Sequence, residues 1–172
     1  MNLEAVNTLP GGGSMRALVV GFLVTLFSFT ALAADNREAN MAQDVLREVN
    51  AWRAAHHLQL LVMDESMSRE ALAHSREMAN HKVPFGHTGF GQRIARIYKT
   101  AKMPMGGSEN VAYNYKDARD VVRNWLTSPG HRRNIAGNFN KTGVGIVRDS
   151  RGKLYFTQIF LRDAPVKRRH FG

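Results

Sequence analysis

The sequence predicts an α+β fold, with helices packed on an antiparallel sheet, and three observations predict it. Apolar residues recur near helical spacing early in the chain, as at Met41, Val45, Val49 and Trp52. Two β-rich stretches, Thr142 to Arg148 and Leu154 to Leu161, close the chain around Asp149-Ser150-Arg151-Gly152, a hairpin signal. The 172 residues are 44% apolar and carry no internal repeat, which suits one packed core with helices first and a hairpin last.

Each element has its own local reason. Asp35 or Asn36 caps the first helix, and His56-His57 end it. Leu58 to Val62 is a short apolar stretch. Asp64 is a good N-cap for a second helix, in which Met67, Ala71, His74, Ser75 and Met78 share a face. Val83 to Gly91 is a loop punctuated by Pro and Gly, and Gln92 to Tyr98 reads as a short amphipathic helix. Met103 to Gly107 is expected to be a loop, and Glu109 to Tyr115 a strand with Val111, Tyr113 and Tyr115 alternating. Asp117 caps a helix holding Val121, Val122 and Trp125. Ser128-Pro129 starts another, with Ser as N-cap and Pro at the first helical position.

The amino-terminal part has a different purpose. Arg16, the uncharged run Ala17 to Ala34 and the small-x-small signal Ala31-Leu32-Ala33 form the three parts of a secretory signal peptide. Cleavage is expected near Ala33/Ala34, although the run would reach across a bilayer if it were retained. Met15 makes a better start than Met1, so Met1 to Ser14 reads as an over-long extension. The expected organisation is therefore extension and signal peptide over 1–34, one domain over 35–163 and a loose basic tail over 164–172. The expected location is extracytoplasmic, either secreted or periplasmic. There is no cysteine, which excludes disulfide scaffolds, thiol catalysis, cysteine-built metal sites and a lipid-anchored Cys.

Three polar residues stand out by context: His87 in the Gly-rich loop, Glu109 at a strand start and His131 just inside a helix start. They lie 22 residues apart in sequence, so they form no local metal motif. His56-His57 is an adjacent pair whose rings face different ways on a helix, which favours a solvated role.

Five ordered blocks carry a family resemblance. They are Gly86-His87-Thr88-Gly89, Gly107-Ser108-Glu109-Asn110-Val111-Ala112, Trp125-Leu126-Thr127-Ser128-Pro129-Gly130-His131-Arg132, Gly143-Val144-Gly145-Ile146 and Tyr155-Phe156-Thr157-Gln158-Ile159-Phe160. In these blocks, spanning roughly Met41 to Leu161, the chain resembles the CAP superfamily (cysteine-rich secretory proteins, antigen 5, pathogenesis-related 1) in its short bacterial form. The resemblance implies a three-layer α-β-α sandwich with a central antiparallel sheet. It also implies a cleft where His87, Glu109 and His131 converge, with Asn110, Ser128, Tyr155 and Gln158 in support. Ser108 is an insertion between the Gly and Glu of the Gly-Glu-Asn block. Ser128 stands where eukaryotic members carry a second cavity Glu, and Tyr155 where they carry a late His. The eukaryotic four-residue cavity and its disulfides are thus absent, and sterol binding is not carried over.

Three roles fit the trio. It is a hydrogen-bonded network that fixes loops, or a divalent-cation site, since two His and one Glu are a catalytic Zn²⁺ ligand set, or the polar part of a binding cleft. In the last, Tyr113, Tyr115 and Phe90 would stack on a ligand. The dipole of the following helix favours a neutral His131, and N-capping is the expected job of Ser128. The preferred reading is an extracytoplasmic binding module, with a metal-dependent hydrolase of protease-like or cell-wall-directed type as the alternative. The chain carries 24 Lys+Arg against 14 Asp+Glu. Its basic residues are dispersed apart from Lys167-Arg168-Arg169, and Arg119 and Arg123 share a helix face. That pattern favours an anionic cell-envelope polymer, carbohydrate or lipid as partner over nucleic acid, with the chain a monomer.

Overall fold

A computed structural model describes residues 36–163. The expected signal segment, the Asp35 cap and the basic tail lie outside these residues.

Helix α1 covers 36–55 and is followed by the short strand β1 (Val62–Met63), α2 (Glu65–Ala79) and α3 (Phe90–Tyr98). Then come β2 (Pro104–Tyr113), α4 (Ala118–Thr127), α5 (Pro129–Ala136), β3 (Lys141–Arg148) and β4 (Leu154–Asp163). The sheet order is β1-β3-β4-β2. The three long strands are antiparallel, as expected, and β1 adds a parallel edge through Val62 and Met63 opposite Lys141 and Thr142.

Burial along the strands explains the layering. An antiparallel strand with one wet face alternates buried and exposed residues. In β4, Leu154 to Leu161 are all buried, so both faces are covered. Phe156 and Phe160 join Val45, Val49, Val121, Trp125 and Ile135, a core shared by α1, α4 and α5. Ile159 and Leu161 pack with Met67, Ala71 and Ile97 from α2 and α3 on the other side. This is the expected α-β-α sandwich.

Asp64 accepts from the Met67 amide at 3.1 Å, and Asp117 from the Asp120 amide at 2.8 Å, so both predicted caps are made. Ser128 occupies the N-cap of α5 with Pro129 after it, but its side chain makes no cap hydrogen bond. The hairpin turn closes as its sequence indicated. Asp149 Oδ1 accepts from the Arg151 and Lys153 amides at 2.9 and 2.8 Å, and Gly152 takes a φ of 83°.

Three boundaries next to the site differ from the sequence reading. β2 begins at Pro104, because Gly106 and Gly107 pair with Arg162 and Leu161 where a loop was expected. It ends at Tyr113, because Asn114 turns the chain at a φ of 67°. Helix α3 begins two residues earlier than predicted, after Gly89 in the left-handed region at φ 78°.

Arg53 has no counterpart in the sequence reading. Its side chain is buried in α1 and donates to the carbonyls of Gln59, Ile135, Gly137 and Phe139. Ile135 and Gly137 lie at the C-terminal end of α5, where free carbonyls favour a cation. Arg53 therefore pins α5 to α1. Replacing it with Ala is expected to lower the melting temperature and to increase amide exchange through α5. A change confined to α1 would contradict this role.

Candidate functional site

The site forms where β2, an edge strand, runs between the loop before α3 and the α4–α5 corner. A cavity of about 480 Å³ opens there. That volume is within the range of small-ligand pockets. His87 and Phe85 wall it from the loop, Val111 and Tyr113 from β2, and Trp125, Ser128 and His131 from the α4–α5 corner.

The loop is held from below. His74 is buried in α2, and its Nε2 lies 2.8 Å from the Gly86 carbonyl. Gly86 takes a φ of 140°, a conformation that favours glycine. This geometry presents His87, whose side chain is 53% exposed, over the buried Glu109, which is 1% exposed.

Glu109 lies behind the cavity wall, where the sequence reading had it lining the cleft. Its side chain projects from β2 toward α3 and meets Arg93. Arg93 donates from Nε to Oε2 at 3.0 Å and from Nη2 to Oε1 at 2.9 Å. The His87 Nδ1 lies 3.0 Å from the same Oε1. Arg93 is itself 4% exposed and also donates to the Thr88 carbonyl at 2.7 Å. The two-point Arg–carboxylate pair is the strong, directional kind. It fixes the carboxylate, and the carboxylate then holds Nδ1 of His87 as the protonated nitrogen. In the tautomer that this contact selects, Nε2 is the ring nitrogen left for other contacts.

His131 enters the cavity from the first turn of α5, its ring 6.4 Å centre to centre from that of Trp125. Burial, and next the proximity of His87, push its pKa below the usual 6.5. The neutral ring expected from sequence is thus favoured, with desolvation as the main cause. Below pH 6.5 the unfolded chain binds this proton more readily than the folded one. The corresponding stability is complete above 6.5 and is lost as pH falls toward the depressed folded pKa. His131→Gln is expected to flatten that part of a stability–pH profile. An unchanged slope just below 6.5 would contradict this assignment.

The supporting residues divide. Asn110 Nδ2 donates to the His131 carbonyl at 3.3 Å, and its Oδ1 accepts from Asn134 at 2.8 Å, so it ties β2 to α5. Gln158 donates to Thr142 Oγ1 at 3.2 Å inside the core, away from the loops. Tyr155 stacks beneath Tyr113 with centroids 5.7 Å apart. Ser128 lines the cavity. Of the expected stacking residues, Tyr113 and Tyr115 line it, and Phe85 takes the place of Phe90. Phe85 and Tyr113 meet at 4.9 Å. His56 stacks on Trp52 at 3.8 Å, far in sequence from the trio.

Arg93, Phe85, His74 and Asn134 were not legible as site residues. Arg93 reads as one cation on an amphipathic helix, and its partner is 16 residues away on another element. The one available signal was its position four residues after Gly89, at the helix start beside the Gly-rich loop.

The pattern of the CAP family (Cysteine-rich secretory protein family) matches residues 46–160. The chain belongs to the CAP family. It is 32% identical over 126 residues to the uncharacterized protein YkwD of Bacillus subtilis (strain 168), covering 69% of this chain and 47% of that one. It is 30% identical over 123 residues to the uncharacterized membrane protein YlbC of the same organism, covering 70% and 34%. This CAP chain therefore spans less than half the length of these curated relatives. An SCP-domain extracellular protein of Bacillus anthracis str. Ames superposes with a TM-score of 0.66 at 27% identity, covering 75% of this chain and 42% of that one. Among the described residues of this CAP domain, no helix is long and apolar enough to cross a membrane.

Proposed function

We propose that this CAP domain works outside the cytoplasm as a binding module, and that its ligand occupies the cavity between the 85–87 loop, the β2 edge and the α4–α5 corner. His87 and His131 supply the polar contacts, and Phe85, Tyr113 and Trp125 the aromatic surface. The extracellular character of the Bacillus anthracis neighbour supports the location. The observation that carries the reading is the engagement of Glu109. Both of its oxygens accept from Arg93, and one also faces His87, so the carboxylate is committed to holding the loop.

The same engagement weighs against the hydrolase alternative. A divalent cation on Glu109 would have to displace a buried guanidinium or sit beside its charge. Among the described residues, no three His, Asp or Glu side chains gather as a metal cage. The arrangement does not fit Zn²⁺ held by His87, Glu109 and His131 together. Added Zn²⁺ is expected to leave the melting temperature of the full chain unchanged. A rise that disappears in both His87→Ala and His131→Ala would favour the metal reading instead. Retention of the chain on an anionic envelope polymer is expected to fall as salt rises, because the attraction would come from exposed bases such as Arg119 and Arg123. Salt-independent retention would contradict that contribution.

A further inference from the structure

The floor of the cavity is an unusual kind of surface. Three consecutive residues of β2, Val111, Ala112 and Tyr113, line it. Side chains on a strand alternate between faces, so three in a row can meet one cavity only along the strand's edge. Among the described residues, no further strand lies beyond β2 in the sheet.

The register says which backbone groups face that edge. Asn114 N–H donates to the Leu154 carbonyl at 2.8 Å, and Tyr113 stands opposite Tyr155. Pairing therefore turns the backbone groups of Asn110, Ala112 and Asn114 toward β4 and those of Glu109, Val111 and Tyr113 outward. Two outward carbonyls are already taken. Asn134 Nδ2 donates to that of Glu109 at 3.1 Å, and Trp125 Nε1 to that of Val111 at 3.5 Å. Among the described residues, the Val111 N–H and both backbone groups of Tyr113 have no hydrogen-bond partner. Two donors and one acceptor thus border the cavity, in strand geometry.

We propose that the cleft recognises an extended peptide, which adds to β2 as a short antiparallel strand. This deepens the binding-module reading and rests on it. The peptide residue opposite Tyr113 exchanges both backbone hydrogen bonds with it, its side chain beside Phe85 and His87. The next residue directs its side chain to the opposite face, toward Trp125, Ser128 and His131. The residue after that stands opposite Val111 and accepts from its N–H. Its own N–H meets a Val111 carbonyl that already accepts from Trp125, so a residue without an N–H costs less there than opposite Tyr113. Main-chain bonds of this kind supply affinity, and alternate side chains supply selectivity.

The test uses the full chain and a library of capped pentapeptides randomised at every position. The tightest binder is then N-methylated one amide at a time. One amide is expected to be intolerant, with affinity falling about tenfold or more, and the amide two residues toward the peptide's C-terminus to be tolerant. On the protein side, Tyr113→Ala keeps the N–H and Tyr113→Pro removes it, at an edge position where proline is admissible. Both variants lose the ring, so the difference between them reads the N–H alone: the Pro variant is expected to bind about tenfold or more weaker than the Ala variant, and equal affinities would overturn the strand-addition proposal. Protection of the Val111 and Tyr113 amides from hydrogen exchange on peptide addition gives the same answer without substitution. A library that yields no binder overturns the peptide proposal. So does peptide binding that is uniformly tolerant of N-methylation. If a glycan or lipid vesicle then binds in a His87- and His131-dependent way, the cleft reading stands without the peptide. If those too fail, both fall.

Discussion

Gly145→Ala is expected to prevent stable folding. A Cβ at Gly145 would overlap the backbone of Ala71 and Leu72 in α2, and one at Gly143 the backbone of Met67 and Ser68. Overpacking usually costs about 1–3 kcal/mol when side chains can give way. Here the obstruction is helix backbone, so the cost lies beyond about 3 kcal/mol. Marginal stability leaves little room for such a loss. The helix would have to lift off the sheet, opening the Met67, Ala71, Ile97 and Ile159 core. The expected result is an insoluble chain, or one with its melting temperature lowered by roughly 10 °C or more. Gly91→Ala is the matched control, with open space at its Cβ in the first turn of α3. It is expected to stabilise by about 0.5 kcal/mol through helix propensity and a less flexible unfolded chain. A Gly145→Ala variant as stable as the parent would mean that α2 does not lie against β3 as described.

The second large effect is expected at Arg93. Its removal leaves the Glu109 carboxylate buried, with only the exposed His87 beside it. Breaking a buried ion pair on one side costs about 3–5 kcal/mol, because the remaining charge is uncompensated. Arg93→Ala is therefore expected to melt well below the parent at neutral pH. Combining it with Glu109→Gln is expected to restore much of the loss, since the stranded charge is then removed. Non-additivity of that sign in a double-mutant cycle is the direct readout. Two independent, additive effects would show that the pair does not hold the loop.

The fold was legible where chemistry is local. Asp64 and Asp117 cap the helices they precede, and the Asp149–Gly152 turn closes its hairpin, because each bond spans only a few residues. The Gly143-Val144-Gly145-Ile146 block was legible as a motif, but its reason was not. The two glycines serve a helix that begins 78 residues earlier, at Glu65. The start of β2 was missed because Gly106 and Gly107 look like loop residues until β4 pairs with them.

The site was legible by the same rule. His87, Glu109 and His131 were found from their turn and cap contexts. The structure brings His87 and Glu109 into contact, while His131 reaches the cavity from its far wall. What sequence could not supply was Arg93. The consequence of a carboxylate depends on what opposes it, and here the opposing group comes from a different element. Ser128 shows the converse. A Ser-Pro helix start reads as a cap, yet the hydroxyl makes no cap bond and faces the cavity.

With Glu109 committed to Arg93 and His87, His87 and His131 are the groups left to face the proposed ligand. Nitrogen NMR of the histidine rings, recorded on the full chain at neutral pH with and without stoichiometric Zn²⁺, tests this arrangement most directly. His87 is expected to carry its proton on Nδ1, Glu109→Gln to change the Nδ1 signal, and Zn²⁺ to move neither His87 nor His131. Simultaneous metal-induced shifts of both rings that vanish in Glu109→Gln would contradict it.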